Sequence, residues 1–184
     1  MRSNTSNNKL IKACLKGDRQ AQFELYNQHK VALYGVCLRY MKSKEAAEDV
    51  LQEGFFTIFK KLHQYKGEGP IGAWMRKVMV NTALMYLRKH GKTTFTELDE
   101  QVFNNHYLLD NSLVEQDRAN AVIHLIQQLP SAHQTVFNLK AIEGYSFREI
   151  SEQLDINEAT LRSHYLRART HLQQLLQKEM NKYG

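Results

Sequence analysis

An all-α fold, with two small helical domains joined by an acidic linker, is predicted for this chain of 184 residues from three observations. Apolar residues recur mostly at steps of three and four, which is the spacing of one face of a helix. Only nine Gly and two Pro are present, so residues that make tight turns are few. The helical periodicity fails between Gly91 and Asp117, and an irregular stretch of ~20 residues or more is unusual inside one compact domain.

The N-terminal half is predicted to form one helical domain at residues 9–92, preceded by a polar, disordered segment at residues 1–8. Asp18 and Ser43 each stand directly before an amphipathic stretch, where a helix N-cap is expected. The main helices are predicted at residues 19–42, 43–62 and 73–89, with a loop rich in Gly at residues 64–72. Four aromatic side chains are expected in the core of this domain: Phe55, Phe56, Phe59 and Trp74.

The C-terminal half is predicted to form a second helical domain at residues 118–184, after an acidic linker at residues 93–117. Between residues 91 and 117 the charged residues are Lys92, Glu97, Asp99, Glu100, Asp110, Glu115 and Asp117. The linker is therefore expected to be net negative and to separate two basic halves of the chain. The first helix of the second domain is predicted to start near Ala119 and to end before Pro130.

Three further helix starts are predicted in this half. Ser131 with Gln134, and Ser146 with Glu149, have the spacing of capping boxes. Asn157 can cap a long final helix that reaches about residue 178.

Residues 146–169 have the pattern of a helix-turn-helix, in which two helices are joined by about three residues. Ala159 is small where the two helices could approach closely, and the apolar residues predicted to fill the core are Ile150, Leu154, Ile156, Leu161 and Leu166. The groups predicted on the surface of the second helix are Arg162, Ser163, Arg167 and Arg169, with His164 nearby. In such a motif the N-terminal side chains of the second helix face base edges, and arginine can donate twice to guanine. Phosphate contacts are expected farther along the helix. An ordinary helical hairpin with a solvated basic face is the alternative.

The chain as a whole is basic, with a net charge of +6 and an isoelectric point near 9.3. Such a charge favours polyanionic partners, nucleic acid before anionic membrane. No apolar run reaches the length of a membrane span, and the N-terminus (MRSNTSNNKL) lacks the apolar core of a signal peptide. We therefore expect a cytoplasmic protein without direct membrane insertion.

Residues that carry covalent or metal chemistry are scattered. Cys14 and Cys37 form no CxxC pair, and the eight His have no HExxH spacing. These patterns predict that both cysteines are buried, reduced thiols. They argue against a disulfide framework and against a metal site. No nucleophile–base pair, catalytic carboxylate pair or phosphate-binding loop stands out, so the protein is expected to be no enzyme and to need no cofactor.

The C-terminal segment LPSAHQTVFNLKAIEGYSFREISEQLDINEATLRSHYLRARTHL resembles region 4 of bacterial sigma factors. The matching positions are Leu129, Pro130, Glu143, Gly144, Glu149, Ile150, Leu154, Ile156, Thr160, Leu161, Ser163, Arg167 and Ala168. The resemblance implies that this domain reads the −35 promoter element through Arg162, Ser163, His164, Arg167 and Arg169, and that it touches the β flap of RNA polymerase.

The N-terminal half carries a second resemblance. Residues 47–62 (AEDVLQEGFFTIFKKL) are similar to sigma region 2.2, and residues 72–89 (GAWMRKVMVNTALMYLRK) to regions 2.3 and 2.4 of the extracytoplasmic-function group. The order of the segments, region 2, linker and region 4, is that of this short group. The resemblance therefore implies a sigma-70 family factor that binds core polymerase and directs promoter-specific initiation.

Two surfaces of the first domain are implied by this resemblance. Asp49, Gln52 and Glu53 match positions that dock on the β′ clamp helices, although acids near a helix N-terminus are also favoured by the helix dipole alone. The residues implied for recognition and melting of the −10 element are Lys66, Ile71, Arg76, Lys77, Asn81 and Arg88. Basic groups interleaved with aromatic ones suit a melted strand, because cations follow phosphates while rings stack on bases.

The resemblance also implies an anti-sigma factor as a partner, since this group is usually held inactive by one. The linker is implied to thread toward the RNA exit path of the polymerase, while a solvated acidic tether is the simpler alternative.

Two other classes of protein remain as alternatives. The first is a stand-alone LuxR-type helix-turn-helix regulator, which would need a receiver or ligand-binding domain in the N-terminal half. The second is a small helical enzyme or nuclease that acts on nucleic acid, which would need a clustered set of carboxylates or His ligands.

Overall fold

The computed structural model describes the backbone of residues 2–90 and 114–182, with the side chains of residues 8–90 and 120–181. Every regular element in these two stretches is helical. The eight α-helices are α1 (Arg2–Leu15), α2 (Arg19–Tyr40), α3 (Lys44–Lys61), α4 (Ile71–His90), α5 (Val114–Gln127), α6 (Ser131–Phe137), α7 (Phe147–Leu154) and α8 (Glu158–Lys182). The chain divides into two compact units, Met1–His90 and Gly91–Gly184. The prediction of two small, all-α domains is confirmed.

The predicted N-caps of the first domain are confirmed. The Asp18 carboxylate accepts hydrogen bonds from the backbone N–H groups of Gln20 and Ala21, at 2.9 and 3.2 Å. The Ser43 hydroxyl accepts from the N–H of Ala46 at 3.2 Å. Each bond satisfies a donor that has no partner within the first turn of its helix.

The N-terminus differs from the prediction of disorder at residues 1–8, because α1 begins at Arg2. The end of this helix is anchored by Ile11 and Cys14, which are both buried. No Gly or Pro interrupts the polar segment before them, so the helix extends toward the N-terminus. Cys14 and Cys37 are buried, unpaired thiols, as predicted.

Helices α2, α3 and α4 pack on one another around a shared core. Four fully buried residues of this core are Val50, Ile58, Met75 and Met79. Gly54 of α3 is also buried, and a Cβ atom added to it would overlap the Sδ and Cε atoms of Met79. Glycine is therefore what allows α3 and α4 to approach this closely.

The aromatic residues of α3 are divided between core and surface. Phe55 is buried and its ring lies 4.5 Å from that of Tyr26, between centroids, whereas Phe59 is partly buried. The prediction that Phe56 belongs to the core is wrong, because 69% of this residue is exposed. One residue along a helix turns the side chain by ~100°, and this turn carries Phe56 away from the side on which Phe55 is buried.

The first helix of the second half starts earlier than predicted, because α5 begins at Val114 rather than near Ala119. Four residues assigned to the linker thus belong to this helix. The acidic linker otherwise lies outside the described residues and remains a prediction.

The predicted capping box at Ser131 is wrong. Pro130 occupies the N-cap, with φ −52° and ψ 144°, and Ser131 is the first helical residue of α6. The carbonyl of Pro130 accepts from the N–H of Gln134 at 2.8 Å, and the Gln134 side chain is buried. A proline fits the extended backbone of a cap and displaces the serine by one position.

The turn into the helix-turn-helix follows a short π-helical segment, Asn138–Ile142, after α6. Gly144 has φ +80°, a conformation that glycine adopts without strain. The capping box of Ser146 and Glu149 is confirmed, since each side chain accepts from the backbone N–H of the other, at 3.2 and 2.7 Å. Asn157 caps α8 by accepting from the N–H of Ala159 at 2.6 Å.

The core of the helix-turn-helix is formed by four of the five predicted residues, namely Ile150, Leu154, Ile156 and Leu161, which are all buried. The prediction for Leu166 is wrong, because it is 63% exposed. Ala159 is also exposed, and the small residue that is buried in α8 is Ala168. The buried face of α8 runs through positions 161, 164 and 168, so position 166 points to the opposite side.

Candidate nucleic-acid interface

The exposed surface of α8 carries four of the five residues predicted to contact duplex DNA. Arg162, Ser163, Arg167 and Arg169 are exposed. Leu166 lies one turn beyond Arg162 and shares its face of the helix. Sequence reasoning missed Leu166, because its apolar character suggested the core.

His164 lies in the interior of the domain rather than on this surface. It is 6% exposed, and its ring centroid lies 5.1 Å from that of His133 in α6. The prediction that it faces DNA is therefore corrected: its position on the buried stripe of α8 turns the ring inward. Burial lowers the pKa of His133 from 6.5 to about 4, with further contributions from the charges of His164, Arg167 and His171.

The Arg162 guanidinium is held on two sides. Its Nη2 donates to the Glu158 carboxylate at 2.8 Å, one turn earlier in α8. Its Cζ atom lies 4.7 Å from the ring centroid of Phe147, the first residue of α7. The side chain nevertheless remains 61% exposed, so its other donors face solvent.

An acidic face runs along α3 of the first domain. Asp49, Gln52, Glu53 and Phe56 are exposed, and their spacing places them on one side of the helix. Glu53 is the tenth residue of α3. The field of the helix N-terminus falls off within the first turn, so the dipole alone does not explain an acid at this position.

A basic line runs along α4. Lys77, Asn81 and Arg88 are exposed and follow one another on one face, while Arg76 is partly buried to the side. The structure thus brings together three of the residues predicted to bind the −10 element.

Ile71 is not on this surface, because it is the first residue of α4 and only 3% of it is exposed. Ile71, Met75 and Met79 follow at steps of four on the buried face. The prediction that Ile71 contacts DNA from the loop is therefore corrected.

The loop before α4 is shaped by glycine and held by a tyrosine. Gly67 and Gly69 have φ values of +78° and +84°. The Tyr65 hydroxyl donates to the Gly69 carbonyl at 2.6 Å, and its ring lies 5.9 Å from that of the partly buried Trp74. Lys66 is exposed in this turn, before α4 begins at Ile71.

No helix within residues 2–90 and 114–182 is long and apolar enough to cross a membrane. In the same stretches, no group of three or more His, Cys, Asp or Glu side chains is arranged to hold a metal ion.

Both halves of the chain match family models. Residues 25–93 match sigma-70 region 2, and residues 119–172 match sigma-70 region 4. The chain belongs to the sigma-70 family. The region 2 match contains the acidic face of α3 and the basic line of α4, and the region 4 match contains the helix-turn-helix. A region 2 domain in the N-terminal half is at odds with a stand-alone LuxR-type regulator, which would carry a receiver or ligand-binding domain there.

Characterised relatives place this sigma-70 family member in the extracytoplasmic-function group. It is 28% identical over 178 residues to RNA polymerase sigma-H factor of Pseudomonas aeruginosa, covering 91% of this chain and 92% of that protein. It is 28% identical over 173 residues to ECF RNA polymerase sigma-E factor of Escherichia coli, covering 87% and 88%. It is 25% identical over 178 residues to ECF RNA polymerase sigma factor SigW of Bacillus subtilis, covering 91% and 95%.

Two solved structures share the fold. CnrH, solved in complex with the cytosolic domain of CnrY, has a TM-score of 0.50 at 21% identity, covering 92% of this chain and 96% of that one. The sigma factor RpoE of Bartonella quintana, solved with the anti-sigma factor NepR, has a TM-score of 0.50 at 21% identity, covering 84% and 95%. At this identity the likeness concerns the fold.

Proposed function

We propose that the two domains of this sigma factor divide its work, with the first binding core polymerase and the melted −10 element and the second binding duplex −35 DNA. The observation that carries this proposal is the match of both halves, in order, to sigma-70 regions 2 and 4. Each domain binds weakly by itself, and a tether between them raises the effective concentration of the second contact. The role is non-enzymatic and belongs in the cytoplasm, where the polymerase acts.

Polymerase docking is assigned to the acidic face of α3, formed by Asp49, Gln52 and Glu53. Exposed carboxylates that extend beyond the first turn provide a negative patch that a basic partner surface complements. Phe56, exposed on the same face, adds apolar area that contact with a partner would bury. The partner assigned by the resemblance is the β′ clamp helices.

Docking is tested with the full chain, bacterial core polymerase and a sizing column. Reversal of Asp49 and Glu53 to Lys is expected to weaken co-elution at least ~tenfold, because like charges then meet across the interface. The matched control is reversal of two other exposed acids of the domain, Glu24 and Glu68, which should leave co-elution unchanged. Equal loss in both double variants would show a general effect of charge and would contradict the assignment to α3.

Binding of the melted −10 strand is assigned to the basic line of α4 with the adjoining turn. Lys77 and Arg88 supply cations at one face, and Asn81 between them supplies an amide that can pair with a base edge. Lys66 and Arg76 flank this line. The half-buried Trp74 and its contact with Tyr65 hold the turn in place.

Reading of the −35 element is assigned to Arg162 and Ser163, with Arg167 and Arg169 farther along α8. The exposed Leu166 suits contact with a thymine methyl group. Specific transcripts from this holoenzyme on genomic DNA, absent with core polymerase alone, would support the function. Tight binding of duplex DNA without any association with polymerase would contradict it and favour a stand-alone regulator.

An anti-sigma factor is the proposed regulatory partner. Support comes from the two structural relatives, one solved with the cytosolic domain of CnrY and one with the anti-sigma factor NepR. The β flap is the second proposed polymerase contact, made by the C-terminal domain.

A further inference from the structure

Three aromatic rings from three different elements meet beside the N-terminal half of α8. Phe137 of α6 stacks on Tyr165 of α8, with centroids 6.2 Å apart and planes 20° from parallel. Phe147 of α7 meets Tyr165 edge-on, with centroids 5.8 Å apart. The edge-on contact with Tyr165 places the Phe147 ring beside α8.

The backbone at the start of α7 also restrains Phe147. Phe147 directly follows Ser146, whose capping box with Glu149 fixes the first turn of α7. The Lys140 ammonium lies 5.0 Å from the same ring centroid and comes from the π-helical segment before the turn. The ring is thus fixed by its own helix and by neighbours on two other elements.

This fixed ring is one of the two supports of the Arg162 guanidinium. Cation–π attraction acts over the 4.7 Å between Cζ and the ring centroid, and the Glu158 carboxylate accepts from Nη2 at 2.8 Å. Free arginine side chains have ~2 kcal/mol of rotamer entropy, which base reading would otherwise have to remove. A guanidinium that is already oriented loses less on binding.

We propose that Phe147 and Glu158 are positioning residues that fix Arg162 for reading one base pair of duplex promoter DNA. They thereby set the specificity of this sigma factor at that pair. The inference rests on the proposed −35 function of α8. Phe147 carries no charge, so its effect falls on the choice of base rather than on the salt-dependent part of affinity.

The test uses the full chain bound to core polymerase and a pool of DNA duplexes with a randomised upstream segment. Sequencing of the bound fraction gives the base preference at each position. Arg162→Ala is expected to erase the preference at one position, and Phe147→Leu to reduce it there about three- to tenfold, the range of one cation–π contact. Phe147→Tyr keeps the ring face, so this variant should retain the wild-type base preference. The salt dependence of DNA binding by Phe147→Leu should match that of wild type.

Glu158→Ala tests the second support, a carboxylate whose side chain is 41% exposed. It should reduce the same preference while raising total DNA binding, because an acid next to the DNA surface is removed. The chain offers two matched controls. Phe137→Leu removes a ring that touches Tyr165 but lies outside the Arg162 contact. Glu152→Ala removes the acid of another exposed i,i+4 pair, which it forms with Arg148. Both should keep the wild-type preference.

The results distinguish failure of the positioning roles of Phe147 and Glu158 from failure of the proposed −35 function of α8. Loss of preference in Arg162→Ala, with wild-type preference in both Phe147→Leu and Glu158→Ala, would overturn the positioning roles and leave the −35 function standing. An equal reduction in Phe137→Leu would also overturn them, because general loosening would then be the cause. If Arg162→Ala erased no preference at all, the assignment of α8 to base reading would fall together with this inference.

Discussion

Gly54 sets the distance between α3 and α4, and its replacement by alanine is expected to destabilise the first domain. The new methyl group would overlap the Sδ and Cε atoms of Met79, and Met79 is 0% exposed. The end of this side chain has to shift within a packed core, which costs ~1–3 kcal/mol. Alanine in a helix is favoured over glycine by up to ~1 kcal/mol, which offsets part of that cost. A net loss of about 1 kcal/mol is expected.

A double variant, Gly54→Ala with Met79→Ala, isolates the contact between these two residues. Met79→Ala alone should cost about 2–5 kcal/mol, because it leaves a cavity beside Gly54. In Gly54→Ala with Met79→Ala, the new methyl group enters that space, so the double variant should be less destabilised than the sum of the single ones. The coupling should lie between about 0.5 and 3 kcal/mol, as for residues in direct contact.

Urea unfolding followed by tryptophan fluorescence provides the assay. Trp74 is the only tryptophan of the chain and lies in α4, so its signal reports on the first domain. Additive free energies in the double variant, or a Gly54→Ala protein more stable than wild type, would refute the argument. Because α3 carries the acidic face and α4 the basic line, Gly54→Leu is also expected to weaken polymerase binding.

Three further predictions concern the second domain. Ser146→Ala should lower its thermal stability by about 1 kcal/mol through loss of a cap, and an unchanged melting temperature would contradict this. The free energy of unfolding should fall as pH drops from 6.5 toward 4, by at most ~1.4 kcal/mol per pH unit, because the unfolded chain binds protons at His133 that the folded domain excludes. His133→Gln should flatten that dependence in melts between those pH values, and an unaltered slope would exclude His133 as the cause. Leu166→Ala should cost less than ~0.5 kcal/mol while Leu161→Ala costs about 2–5, and similar losses in chemical unfolding would contradict the exposed position of Leu166.

Local signals in the sequence predicted most of the fold. The caps at Asp18, Ser43 and Ser146 were correct, because a capping side chain bonds backbone groups within three residues and needs no distant partner. The predicted cap at Ser131 was wrong for an equally local reason, because Pro130 occupies the cap position one residue earlier. The extent of the first helix was missed, because polar composition says little about a segment that continues an anchored helix.

The candidate site was predicted less completely than the fold. Residue type and spacing selected Asp49, Lys77 and Arg162, which are charged and lie on exposed faces. The same reasoning put Ile71 and His164 on the DNA surface, yet both side chains are buried. The contacts of Arg162 with Phe147 and Glu158 were not foreseen, because the ring belongs to a different helix.

The sequence by itself determined that the chain forms helices, that it has two domains and that it belongs to the sigma family, because periodicity and matched segments are properties of the chain alone. Only the tertiary structure decided which face of each helix is buried. Phe56 and Leu166 are apolar but exposed, and His164 is polar but buried. A helix presents several neighbouring stripes of side chains, and the packing of the other helices selects the stripe that loses contact with water.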